Sequence, residues 1–172
     1  MNQPTAGDWY EPDSTWRLLG FDTRESYVAH MVAPAQFHPE VHEDVVKSYR
    51  TVEHLMALAW YHYPMYDEAI KKLTSMVEMA VKLRCQQKGI PIAEGQNDSK
   101  NRPLARLIDE LCTQLQSAEL KQRLHAVRGI RNRQAHPEHH SFGGIAMSIA
   151  VEPLVYTLNL LFLAPEANHK EA

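Results

Sequence analysis

Two cysteines, Cys85 and Cys112, are all the chain has, and they form no CxxC pair. That leaves no clustered thiols for a redox or zinc motif, so each is expected to be a plain buried thiol in a reducing, cytoplasmic setting. Glycines number only seven, and the ten prolines gather at segment edges, which argues against a many-turned β fold. The first residues, MNQPTAGDWYEPD, lack the basic and apolar regions of a secretory signal, so none is expected. No long apolar run is uninterrupted: IAMSIAVEPLVYTLNLLFLA holds Glu152 and Pro153 at its middle, so a buried helix is expected and no bilayer span. The formal charge of −3 speaks against a general nucleic-acid coat protein and requires any anion binding to be local. Internal repeats, heptads, low-complexity tracts and glycine-rich phosphate loops are all missing.

What is present suits one soluble globular domain: 172 residues, 44% hydrophobic and 23% charged. Residues 1–37 mix aromatics (Trp9, Tyr10, Trp16, Phe21) with prolines and acids. They read as an irregular arm wrapping the body outside the core, with one short helix capped by Asp22 and closed by Pro34. From Pro39 the period becomes helical. Val41, Val45, Tyr49, Val52, Leu55, Met56 and Ala59 form one apolar face, broken at Pro64. A second helix carries Ile70, Leu73, Val77, Ala80 and Val81 and ends before Gly89. After a polar loop over 91–102, Pro103 at an N1-like position opens a third helix. Ser117 is a credible cap for a fourth, which stops near Ala135, ahead of Pro137. The fifth spans roughly 144–163 with a kink at Pro153. The expected fold class is all-α: an antiparallel up-and-down bundle of four to five helices over 38–165, with an irregular N-terminal arm and a disordered tail over 166–172.

The fourth helix holds the chemistry. With Leu120 at zero on a helical wheel, Leu124 and Val127 fall within about 40° and Arg131 at about 20°, in the same core stripe. A guanidinium there needs a carboxylate or phosphate partner. A second stripe, between about 120° and 180°, holds His125, Gly129, Asn132 and His136. Mid-helix glycine costs roughly 1 kcal/mol against alanine, so Gly129 reads as a groove or contact face. Arg131 and His136 lie about 140° apart on an ideal helix, but Pro137 pushes His136 toward extended backbone and lets its ring swing toward the arginine.

Histidine moves protons near neutral pH, arginine clamps phosphate and stabilises developing charge, and asparagine orients either. Repulsion from Arg128 and Arg133 favours a neutral imidazole, as a general base requires. Such a set suits cleavage of RNA by its own 2′-hydroxyl, which needs no metal and no cofactor. The plain alternative is a solvated basic helix end that complements the macrodipole. Metal binding by His136, His139 and His140 is disfavoured because HPEHH matches neither zincin spacing.

Arg131-Asn132-x-x-x-His136, on the late helix of a bundle, resembles the R-x(4–6)-H signature of HEPN domains, with the polar residue they favour directly after the arginine. The resemblance spans about residues 40–163 and takes in EAIKKLTSMVEMAVKLRCQQKGI and PLARLIDELC as the helices preceding the motif. It implies a homodimeric bundle whose motif helices share a cleft, and a metal-independent endoribonuclease of toxin–antitoxin, defence or RNA-processing type. By position, Arg131 and His136 become the catalytic pair, Asn132 their polar support and Glu78 a candidate acid beside the arginine. Arg128, Arg133, His139 and His140 fall outside the signature and are assigned to phosphate contact. Implied partners are RNA, a second copy and an antitoxin or other protein. The alternative is a non-catalytic HEPN module binding RNA, nucleotide or a protein.

Overall fold

The computed structural model describes residues 8–94, 100–134 and 148–163. The architecture is the all-α bundle that the periodicity predicts. Seven α-helices occur among the described residues: α1 (Ser14–Leu18), α2 (Arg24–Met31), α3 (Glu43–Leu58), α4 (Met65–Gln87), α5 (Leu104–Gln114), α6 (Ala118–Gln134) and α7 (Val151–Leu163). A 3-10 turn, Asp8–Tyr10, precedes them. The long α4 is the central post and packs against α3, α5, α6 and α7. Its buried residues include Ile70, Leu73, Val77, Ala80 and Val81, opposite Val45, Val52 and Met56 of α3. Both cysteines are free and buried, and burial pushes each thiol up to about 11. No helix among the described residues is long and apolar enough to cross a membrane.

Helix ends follow local chemistry. At the C-terminus of α4, Gly89 adopts φ +69°. Its amide bonds the Gln86 carbonyl at 3.1 Å, and the Ile90 amide bonds Cys85 at 2.8 Å, which satisfies the last carbonyls of the helix. Ser117 caps α6, its Oγ accepting the Leu120 amide at 3.2 Å. The loop over 91–102 holds a two-residue antiparallel ladder, Ala93–Glu94 with Lys100–Asn101. Arg102 clips it from inside, donating to the Pro91 carbonyl at 2.6 Å and pairing with Glu110.

Several expectations need correction. The cap of α2 is Thr23, not Asp22: its hydroxyl accepts the Ser26 amide at 3.2 Å. Pro103 is the N-cap of α5, one position before N1. The last helix starts at Val151, so Pro153 sits in its first turn, where the missing N–H costs nothing and no kink is needed.

The largest correction concerns the arm. Trp16 and Tyr27 are fully buried and belong to the main core. Irregular backbone has no ladder partners of its own, so side chains supply them. The Tyr27 hydroxyl bonds the Met56 carbonyl, Tyr49 bonds Ala33 at 2.8 Å and Tyr66 bonds Met31 at 2.9 Å. Burial pushes the Tyr49 and Tyr66 phenols up to about 12. Asp13 completes the seam, its carboxylate accepting the Tyr63 amide at 2.8 Å and the Thr15 amide at 3.0 Å.

Candidate functional site

Glu78 of α4 meets Arg131 of α6, and Thr74, one turn back on α4, meets Gln134. Stepping down α4 therefore steps up α6: the helices run antiparallel, and the arginine stripe faces α4. The guanidinium that the wheel places among leucines finds its carboxylate here. Arg131 Nη2 lies 3.1 Å from Glu78 Oε2, while Lys82, one turn on, lies 2.8 Å from Glu78 Oε1. One carboxylate thus holds two cations.

Burial differs from the expectation. Leu120, Leu124 and Val127 are buried, but the Arg131 side chain is 44% exposed, because the stripe runs out of the core at the end of the bundle. Glu78 is the more enclosed partner, at 22%. The arginine is therefore held from one side and open on the other. Asn132 is exposed and accepts a long contact of 3.4 Å from Arg131 Nη1. Arg133 is exposed, and Arg128 is half-buried with its Nε lacking a hydrogen-bond partner.

Other candidates separate from this cluster. His125 turns to α5, its Nε2 3.1 Å from Asp109 Oδ1, which also takes Lys121 at 2.8 Å. The Lys121 ammonium, then the His125 ring, hold the Asp109 carboxyl below the usual carboxylate range. Gly129 faces open space: a Cβ built there meets no atom within 4 Å, so no backbone of the described chain approaches it. It lies about 160° around α6 from Arg131, so the two glycine and arginine features occupy different sides of the helix. His136, His139 and His140 lie outside the described residues, as do Ala135, Pro137, residues 144–147 and the tail over 166–172. Among the described residues, no group of three His, Cys, Asp or Glu side chains could hold a metal.

Sequence reasoning named Glu78 but missed its two companions on the α4 stripe. Thr74, Glu78 and Lys82 recur every four residues, a spacing that marks one helix face. Thr74 donates to Gln134 Oε1 at 3.0 Å and ties the end of α6 down. Asp67, in the first turn of α4, is buried with Oδ1 lacking a hydrogen-bond partner. Burial raises its pKa above the ordinary value, with Lys71 opposing and Glu68 adding to the shift. A folded-state pKa above the unfolded one gives stability that is full below the unfolded value and lost as pH rises through the folded one. Asp67→Asn is therefore expected to exceed wild type in stability at neutral pH, by about 1 kcal/mol, with the gap closing toward about pH 3. Urea midpoints at the two pH values check this, and a variant no more stable than wild type at neutral pH refutes it. Against the models of known protein families, the curated proteins and the solved structures, the chain finds no match.

Proposed function

We propose that the protein is a metal-independent endoribonuclease of HEPN type, cutting RNA by attack of the 2′-hydroxyl at a site shared between two copies. One observation carries the reading. Arg131 emerges at the rim of the α4–α6 interface, oriented from behind by Glu78 and open in front, five positions before His136 in the sequence. A guanidinium fixed on one side by a carboxylate is pre-aimed, so little reorganisation is needed when charge develops on a phosphorane. In this reading the 2′-oxygen bonds to phosphorus as the P–O5′ bond breaks, leaving a 2′,3′-cyclic phosphate. His136 accepts the 2′-hydroxyl proton and the imidazolium so formed returns a proton to the leaving 5′-oxygen, while Arg131 stabilises the phosphoryl oxygens and Asn132 orients them. Arg128, Arg133, His139 and His140 contact flanking phosphates. Systems of toxin–antitoxin or defence type, in the cytoplasm, are the settings the resemblance implies.

The test is cleavage of a mixed RNA pool by wild type, Arg131→Ala and His136→Ala, each with and without EDTA. The expected result is loss of cutting in both variants and indifference to the chelator. Unchanged cutting in both, or abolition by EDTA, removes the proposal.

A second reading draws on the same cations. Lys82, Arg128 and Arg131 gather positive charge on a chain of net −3, as a non-catalytic RNA- or nucleotide-binding module would. Binding without turnover, weakening steeply with salt, distinguishes it.

A further inference from the structure

Helix α6 carries a second polar stripe, away from the core, that the ribonuclease reading leaves idle. His125 and Gly129 lie one turn apart on it, and Arg128 stands between that stripe and Arg131. Three observations meet there. The His125 ring is fixed: its Nε2 lies 3.1 Å from Asp109 Oδ1, and an ionised carboxylate only accepts, so Nε2 carries the proton. The ring is also left uncovered. A helical side chain leans back over the turn before it, so a side chain at position 129 would lie over the surface beside His125. Glycine covers nothing, at a cost of roughly 1 kcal/mol against alanine, and a Cβ built there meets no atom within 4 Å. Third, Arg128 is half-buried, its Nε enclosed with no hydrogen-bond partner, and no carboxylate pairs with it among the described residues. A guanidinium taken partly out of water leaves that cost uncompensated until an anion meets it.

We infer that this face of α6 is a ledge for one unpaired base of single-stranded RNA, stacked on the His125 ring in the gap at Gly129, with the neighbouring phosphate on Arg128. Unpaired bases stack on imidazole rings, whereas bases within a duplex have both faces covered. The spacing suits one strand. Arg128 lies three residues from His125 and three from Arg131, about 60° around the helix from each. A backbone running from Arg131 to the ring therefore crosses the unpartnered guanidinium midway. Asp109, the acid bonded to the ring, does little to repel that backbone, because Lys121 lies 2.8 Å from it and offsets its charge. As a subsite beside the cut, the ledge rests on the ribonuclease reading; as a binding surface, it is measured without turnover.

The probe is a short fluorescein-labelled single strand of mixed sequence, with 2′-O-methyl riboses so that no 2′-hydroxyl can attack, titrated with the full chain and read by fluorescence anisotropy. Wild type is expected to bind it, and to bind the same strand annealed to its complement about tenfold more weakly. His125→Ala removes the ring and Gly129→Leu covers it, and each is expected to weaken binding about tenfold, the loss of one stacked base. His125→Phe keeps a ring and should recover most of that affinity. Leucine is a better helix former than glycine, so Gly129→Leu should melt no lower than wild type, which separates a blocked ledge from a disturbed fold. Arg128→Gln should reduce the slope of log affinity against log salt by about 0.7, one phosphate contact to a single strand. No binding by wild type, equal affinity for strand and duplex, unchanged affinity in both His125→Ala and Gly129→Leu, or a phenylalanine variant as weak as the alanine one overturns the inference. Cleavage of an unmodified strand is scored separately. A ledge that holds RNA without Arg131-dependent cutting stands while the ribonuclease reading falls, and Arg131-dependent cutting with affinity indifferent to His125 and Gly129 does the reverse.

Discussion

Trp16→Ala is expected to cost about 3–5 kcal/mol of stability, the largest loss for any single side chain of the first 37 residues. The indole has no exposed surface and sits among four other rings, with centroids 4.4 Å from Tyr27, 4.9 Å from Tyr63, 6.1 Å from Phe21 and 6.2 Å from Tyr66. Removing it opens a cavity that α1, α3 and the start of α4 cannot fill together, because each is fixed by its own packing. A hydrogen bond is lost as well: Trp16 Nε1 donates to the Ala59 carbonyl at 2.6 Å, at the point where α3 ends. An orphaned buried carbonyl adds about 1 kcal/mol. Trp16→Phe keeps most of the ring contacts and loses only that bond, so it should fall well short of the alanine variant. Urea unfolding followed by far-ultraviolet dichroism reads both variants. A Trp16→Ala protein within about 1 kcal/mol of wild type would mean that the first 37 residues peel away without disturbing the bundle.

That prediction marks where the sequence was least legible. The long helices were readable because burial repeats every three to four residues, and Val45, Tyr49, Val52 and Met56 of α3 carry that signal without interruption. The first 37 residues bury their aromatics by another route. Tyr27 reaches Met56, and Trp16 reaches Ala59, across 29 and 43 positions of sequence. Bonds of that kind leave no period, so aromatics scattered among prolines look like surface. Turns show the same limit. The α5–α6 connection puts Gln116 at φ +51°, a conformation that glycine usually takes, so the residue type gave no hint.

The candidate site was legible in part for the same reason. A wheel places Arg131 on the stripe of Leu120 and Leu124, and electrostatics demands an acid for it. A wheel does not say where the stripe leaves the core, which is why the arginine is half in solvent. Nor does it show which helix lies opposite. Lys82 and Thr74 belong to the site only because α4 and α6 run antiparallel in this register. Gly129 is the converse case, an unusual residue at a position that itself meets no described neighbour.

Activity and stability should part company at the arginine. Arg131 is 44% exposed and its pair with Glu78 is partly solvated, so deleting it should cost only about 0.2–1 kcal/mol of stability. Under the ribonuclease reading the same deletion removes the group that meets charge in the transition state, and Arg131→Ala is expected to lower kcat about 100- to 1000-fold. Arg131→Lys keeps the charge but loses the planar fork, so it should recover little of that loss. Glu78→Gln is the sharper variant. It leaves Arg131 in place and removes only the carboxylate behind it, freeing the guanidinium to sample other rotamers. About a tenfold fall in kcat with an unchanged KM is expected if Glu78 positions the arginine. A double-mutant cycle on kcat then tests the link: once Arg131 is alanine, Glu78→Gln should cost nothing further. Equal losses from Glu78→Gln in both backgrounds would show that the carboxylate acts independently of the arginine, and a fully active Arg131→Ala enzyme would leave the pair as a surface ion bridge with no part in chemistry.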